Sequence, residues 1–384
     1  MPALSADEAH HEAAVKAAVR EAVNARGGWL SFEDYMRIAL YAPALGYYSA
    51  GSVKIGRAGD FVTAPELSTL FGLALARQCA QLLEMSGGHV LELGAGTGAL
   101  AVTLLPALEA LGALPARYEI LEVSADLSQR QRERVSALPD SLRSRVHWRG
   151  ALPEQFVGVC VANEVADALP FRRFTLGAEG YLEQGVSCDE AGELIMASRS
   201  CDPALAGEIG RVAASLPVWP VGYESELCAL LDPWVRSLSD VLARGALLLI
   251  DYGLPRHEYY HAQRVQGTLR CHFRHRAHSD PLLHPGLQDI TAWVDFTRLA
   301  EAAADAQLAI SGYCTQAAFL LANGIEADVA AVQDTLQRAR LAAEARILLL
   351  PGEMGEYFKV MALTRGLPNV PLRGFTLQDL RRSL

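Results

Sequence analysis

The chain has 384 residues, half of them apolar and a fifth charged, enough for a sizeable core in one large domain or two ordinary ones. Its formal net charge of -10 excludes a general attraction to nucleic acid or anionic lipid, although Arg270, Arg274 and Arg276 could make a local basic patch. The seven cysteines are scattered with no CxxC pair, no apolar run reaches the ~20 residues that span a bilayer, and the first residues are too polar and acidic for a targeting peptide, so a cytoplasmic protein with reduced thiols and no membrane insertion is expected.

Residues 6–25 read as an amphipathic, alanine-rich helix that ends near Arg26-Gly27-Gly28. A second helix starts at Ser31 and stops before Pro43, with Ser31 and Asp34 as a loose capping pair. A turn-rich aromatic loop, YAPALGYYSAG, follows. In GRAGDFVTAPELSTLFG, Thr63 and Glu66 fit the capping box of a helix running to about Glu84, and Pro65 suits its first turn. Strands then alternate with helices: strand 89–93, helix 97–111, strand 117–123, helix 125–137, and strands 145–148 and 156–163. That alternation implies a parallel sheet covered on both faces. It lapses after 163, where 171–200 look like hairpin strands and 203–243 look helical. A strong strand returns at 245–253, followed by a long His/Arg/Pro-rich segment, 254–290, with little periodicity. A helix at 291–304, a strand at 307–313, helices over 315–349 and a last strand at 356–364 complete the chain.

The expected fold is α/β: a Rossmann-like, mostly parallel sheet. An N-terminal helical cap (1–86) precedes the first half of the core (87–163). An inserted substrate-facing region (164–243) separates it from the second half (244–384), which carries an active-site loop at 254–290 and a helical excursion at 315–349.

The stretch HVLELGAGTGALAVTLL, 89–105, carries the first chemistry. Gly94, Gly96 and Gly98 sit at a strand-to-helix turn, where open parallel sheets bind ligands and where glycine permits positive φ and close approach. Gly94-x-Gly96-x-x-Ala99 satisfies the relaxed dinucleotide fingerprint. Glu92-x-Gly94-x-Gly96-x-Gly98 instead matches the first motif of S-adenosylmethionine-dependent methyltransferases. Glu92, inside the strand's end, favours the second, because a carboxylate there can reach an amino-acid ammonium group. Glu122, at the end of the next strand, can accept both ribose hydroxyls, which NAD would also satisfy.

A second cluster, Asn163-Glu164-Val165-Ala166-Asp167, ends the apolar strand 156–162 and faces the same crevice. An amide there can accept a hydrogen bond from a substrate nitrogen, and carboxylates can hold a guanidinium. A plain helix cap is the alternative. Methyl transfer needs in-line positioning more than acid–base machinery, but a guanidinium nucleophile must lose a proton, for which Glu164 is the first candidate and Asp167 the second. Four histidines, His272, His275, His278 and His284, lie close together. The interleaved arginines oppose a cation, so no metal is expected, and Asp280, Asp289 and Asp295 can pair with those arginines or orient a substrate.

Together these pieces resemble the MidA-like family of methyltransferases, relatives of the mitochondrial complex I assembly factor that modifies arginine. The likeness rests on SFEDYMRIALYAPALGYYS, GDFVTAPELSTLFG, ELGAGTG, NEVADALPFRRF, the IDYG strand end, the GTLR…DPLLHPGLQDITAWVDF segment and MGEYFKVM. The loop departs from relatives that carry Pro and Arg between the glycines, and Val165-Ala166 replaces a pair that is often bulkier. The resemblance implies a class I core whose last strand, 356–364, inserts antiparallel between its neighbours, S-adenosyl-L-methionine as donor, S-adenosylhomocysteine as product and a protein arginine as acceptor, with a respiratory complex I subunit as partner. It also adds Gly59, Asp60 and Phe61 to the donor site. The donor-binding candidates are therefore Gly59, Asp60, Phe61, Glu92, Gly94, Gly96, Gly98, Glu122, Val123 and Asn163. The catalytic candidates are Glu164, Asp167 and Asn163. An NAD(P)-dependent oxidoreductase and a non-catalytic assembly chaperone on the same fold are the alternatives.

Overall fold

Successive side chains of the apolar strands pack on opposite faces of one sheet. Val159 and Val161 join Leu75, Leu82, Leu100 and Leu104 on one side; Cys160 and Ala162 join Leu231, Val235, Leu238 and Leu299 on the other. Each fully buried Val or Leu contributes roughly 1.5–3 kcal/mol of transfer free energy, so burial on both faces is what a near-continuous apolar strand encodes. The computed structural model describes residues 4–49 and 62–384.

Seven strands make the central sheet: β1 (His89–Leu93), β2 (Tyr118–Leu121), β3 (Val146–Arg149), β4 (Phe156–Asn163), β5 (Leu242–Leu254), β6 (Ala309–Thr315) and β7 (Phe358–Arg365). Their order is β6-β7-β5-β4-β1-β2-β3, with the short piece Val294–Asp295 alongside β5. As expected, β7 lies antiparallel between β5 and β6, and the strands from β5 to β3 run parallel. Leu93 pairs with Ala162, and Asn163 with Ile250, so the tips of β1, β4 and β5 meet at one carboxyl edge.

The N-terminal helix α1 (Ala6–Ala25) begins with a capping box that the sequence reading did not use. Ser5 Oγ accepts from Glu8 N at 3.2 Å, and Ser5 N donates to the Glu8 carboxylate at 2.7 Å. The helix α2 (Phe32–Met36) is capped by Ser31, as expected. The expected single helix from Thr63 to Glu84 is two helices, α3 (Ala64–Leu67) and α4 (Thr69–Ser86), and the Thr63 side chain makes no cap bond. Glu66 is diverted elsewhere, while Ser68 caps α4 through Leu70 N at 3.3 Å. Helices α5 (Ala99–Ala110) and α6 (Ala125–Val135) follow β1 and β2.

A second, five-stranded sheet comprises Leu30–Ser31, Arg172–Gly177, Gly180–Cys188, Leu194–Ser200 and Glu224–Leu227. The last of these interrupts the stretch read as wholly helical. Segment 254–290 was read as aperiodic, yet it contains Arg270–Phe273 and Arg276–His278, which join Asp289–Thr291 in a small sheet. Strands of three or four residues are too short for alternation to register in sequence. Its hairpin turns on Arg274 and His275, both with positive φ (50° and 59°). Leu269, Cys271 and Ile290 pack against Val15, Val19 and Val23 of α1. Among the described residues no helix is long and apolar enough to cross a membrane.

Candidate active site

The turn after β1 is built from three glycines with φ of 60°, 53° and 83° at Gly94, Gly96 and Gly98. A Cβ on Gly94 would stand 2.9 Å from the Val165 side chain, so the loop also needs glycine for space. Gln131, fully buried in α6, braces this loop: its Nε2 donates to Gly96 O and to the Glu122 carboxylate, both at 2.9 Å. Its Oε1 accepts from Trp148 Nε1 at 2.9 Å. Glu122 also accepts from Ser124 N at 2.8 Å. Glu66 of α3 reaches the same loop, accepting from the Thr97 hydroxyl and pairing with Arg134.

These groups border a cavity of about 490 Å³ over the tips of β1, β2 and β4. Its lining places Glu92, Gly94, Gly96, Glu122, Val123, Asn163 and Glu164 in one space, with Tyr41 and Tyr48 closing the end near Glu164. Gly98 does not line the cavity; a Cβ on it would stand 3.4 Å from the Gln131 backbone. Asp167 faces away, into a small void beside Trp293 and Cys228. Gly59, Asp60 and Phe61 lie outside the described residues. Among the described residues the cavity is lined by four glutamates, Glu66, Glu92, Glu122 and Glu164, and by no Lys, Arg or His.

Electrostatics follow from burial. Glu92 accepts from Tyr118 OH at 2.7 Å, yet desolvation pushes its pKa up to about 7. Burial also raises Glu122. Glu164 is pushed up to about 8 by burial and then by the charge of Asp167; the Asn163 amide and the Ala64 backbone pull the other way. Asp167 rises to about 6 through burial, opposed by the hydrogen bond it accepts from Tyr252 OH. No ion pair reaches Glu164, Asp167 or Asp251 among the described residues. Asn163 Nδ2 donates to Glu164 at 3.1 Å, and the remaining oxygens Asn163 Oδ1 and Asp167 Oδ1 are buried without a hydrogen-bond partner among the described residues.

This is a crevice lined by carboxyl groups, with a glycine turn at one end and, near the other, a buried Asn163 oxygen without a partner among the described residues. A family model described as "Putative S-adenosyl-L-methionine-dependent methyltransferase" matches residues 74–314. The chain belongs to this methyltransferase family.

The methyltransferase is similar over its whole length to a "likely methyl transferase" from Burkholderia thailandensis bound to S-adenosyl-homocysteine, at 44% identity and a TM-score of 0.95, covering 100% of both chains. It is 30% identical to the zebrafish (Danio rerio) mitochondrial protein arginine methyltransferase NDUFAF7, over 88% of this chain and 83% of the relative. With the human mitochondrial NDUFAF7 the identity is 28%, over 90% and 82%. S-adenosyl-L-methionine is thus its donor, and the dinucleotide reading of Gly94-x-Gly96-x-x-Ala99 falls. The cytoplasmic expectation is corrected, because these relatives are mitochondrial. It rested on unpaired cysteines and the absence of an apolar span, which characterise any reducing interior and carry no address.

Several residues of the methyltransferase site escaped the sequence reading. Tyr41 donates to Ala168 O and Tyr48 to Asp289 Oδ1, both at 2.7 Å, and their rings stack with centroids 5.5 Å apart. Gln131 left a signal, a polar residue in the apolar stripe Leu127, Gln131, Val135 of α6; Tyr41, Tyr48 and Asp251 left none that is local. Of the acids in the histidine-rich stretch, only Asp289 reaches the cavity wall, through Tyr48. Asp280 accepts from Leu282 N, while Asp295 caps the helix Phe296–Asp305 and pairs with Arg256. His272 and His278 are held below the ordinary histidine range chiefly by burial. No metal-ligating group of three or more His, Cys, Asp or Glu forms among the described residues.

Proposed function

We propose that this methyltransferase moves a methyl group to an arginine side chain of a protein, a respiratory complex I subunit being the acceptor that the family resemblance implies. The observation that carries this reading is Asn163 Oδ1, a buried acceptor with no partner among the described residues, beside a Glu164 in the same cavity that no described cation pairs with. Buried polar groups are almost always satisfied, so an unpaired acceptor in a crevice lined by four glutamates and, among the described residues, by no Lys, Arg or His calls for a cationic donor group. A guanidinium is one, and the zebrafish and human relatives are named for acting on arginine.

In this reading the glycine turn lies close beneath the donor, Glu92 meets its ammonium group, and Glu122 accepts its ribose hydroxyls. Val123, exposed at the rim, covers the base. Gly59, Asp60 and Phe61 join them by resemblance. The donor supplies an electrophilic methyl and a neutral thioether leaving group. Asn163 accepts a hydrogen bond from the acceptor nitrogen and orients it. Glu164 removes one proton from that nitrogen as the new N–C bond forms, and Asp167 supports the positive charge from behind. A bound guanidinium lowers the pKa of Glu164 from about 8, which readies the carboxylate for that proton.

The test is incubation with labelled S-adenosyl-L-methionine and cell lysate, followed by mass-spectrometric mapping of the label. Label on arginine nitrogens is expected. Label on lysine or carboxylate oxygens contradicts the acceptor assignment, and an intact donor site with no labelled protein favours the assembly-chaperone alternative.

A further inference from the structure

Glu164 is one of five described non-glycine residues with positive φ (54°), and the only one of them that lines the cavity. Left-handed backbone is unfavourable for any residue with a Cβ, and it persists only where the surroundings impose it. The tip of β5 imposes it here. Ile250 O accepts from Glu164 N at 2.9 Å. One oxygen of Asp251, Oδ2, then accepts from three successive backbone groups: Val165 N at 3.2 Å, Ala166 N at 3.0 Å and Asp167 N at 3.2 Å. Its other oxygen accepts from Tyr252 N at 2.9 Å, and Tyr252 OH closes the turn on Asp167 Oδ2. Asp251 is 3% exposed and does not line the cavity, so it cannot touch donor or acceptor.

We infer that Asp251 is a positioning residue: its carboxylate gathers the 165–167 amides and thereby holds Glu164 in the left-handed conformation that turns its side chain into the cavity. This rests on the reading of Glu164 as the proton acceptor. An acid is suited to the task because its two oxygens carry only acceptors, and four N–H groups converge on them. An amide offers one oxygen to the three amides and turns its NH₂ against Tyr252 N.

The test compares Glu164→Ala with Glu164→Gly by equilibrium denaturation, in the wild-type and Asp251→Ala backgrounds. Alanine is strained at this φ and glycine is not, so with Asp251 present the glycine variant is expected to be about tenfold more stable in its folding equilibrium. Without Asp251 the turn relaxes, and that preference is expected to vanish or invert; a preference that persists unchanged overturns the inference. Should Asp251→Ala not fold, Asp251→Asn carries the test through hydrogen exchange. The Val165, Ala166 and Asp167 amides are expected to exchange at least tenfold faster while Leu91 and Val161 keep their protection, and unchanged exchange at 165–167 overturns the inference. In the same variant kcat should fall about tenfold with S-adenosylhomocysteine affinity unchanged, a split that a general loss of structure does not produce. Failure of the Glu164 reading shows separately: Glu164→Gln would then still transfer methyl, while the 164/251 stability cycle stands.

Discussion

The two ends of the cavity are finished differently. At the glycine end every described acid has an internal partner: Glu92 has Tyr118, Glu122 has Gln131 and Ser124, and Glu66 has Arg134. At the other end Glu164 has the Asn163 amide and the Ala64 backbone but no described cation, and Asn163 buries an oxygen with no partner among the described residues. A site whose groups are satisfied before its ligand arrives is rigid and costs little to occupy. A site with unpaired buried acceptors is unstable until a donor group enters, and it selects strongly for ligands able to supply one. That contrast is what the proposed function expects, with the methyl donor at the glycine end and a cationic acceptor at the Glu164 end.

The largest expected effect lies in the pH dependence of stability at the unsatisfied end. A carboxyl raised from 4.5 to about 8 in the folded state favours its protonated form there. Its penalty is therefore absent below about pH 4.5 and grows as pH rises to 8. Glu164→Gln should accordingly be more stable than wild type at pH 8 by roughly 4 kcal/mol, with the gain disappearing near pH 4.5. Denaturant midpoints across that range check this; a pH-independent difference would mean that the two ends do not differ in satisfaction. At the glycine end, Gly94→Val adds a β-branched side chain where φ is 60° and Val165 stands 2.9 Å away. Calorimetry should show S-adenosylhomocysteine affinity falling on the order of 100-fold, from about 1–2 kcal/mol of left-handed strain plus the clash. Glu122→Ala removes the proposed acceptor of the ribose hydroxyls and should cost about tenfold or somewhat more in the same titration. Gln131→Leu keeps the shape but loses the brace between Gly96 and Glu122. A loss of only a few fold is expected, near the ~1 kcal/mol worth of a typical hydrogen bond. An effect as large as that of Glu122→Ala would mean that the rigidity of this end resides in Gln131.

The glycine end was legible in the sequence because its chemistry is local. Glu92, the three glycines and Glu122 lie within one strand–turn–helix–strand unit, and their spacing alone indicates a ligand beneath the turn. The parallel core was legible from apolar runs alternating with helical patterns, which have few ways to be buried, whereas the antiparallel last strand followed only from the family resemblance. The other end was legible only where β4 stops, at Asn163–Asp167. Its walls come from afar: Tyr41 meets Ala168, Tyr48 meets Asp289, and Asp251 gathers the 165–167 amides. Nothing near Tyr41 or Asp251 in the chain announces those contacts. The capping-box reading of Thr63 and Glu66 went astray for a related reason: the Glu66 carboxylate finds a stronger partner in Arg134, brought in by α6.

The measurement that bears most directly on the division of labour is a paired assay of Glu164→Gln against wild type. S-adenosylhomocysteine affinity is read by calorimetry and methyl transfer by labelled donor, on the same preparations. The predicted result is donor affinity within about twofold of wild type with transfer reduced by roughly 10²–10⁴-fold, the usual worth of a positioned proton acceptor. Donor affinity lost in step with transfer, or transfer at the wild-type rate, would contradict it.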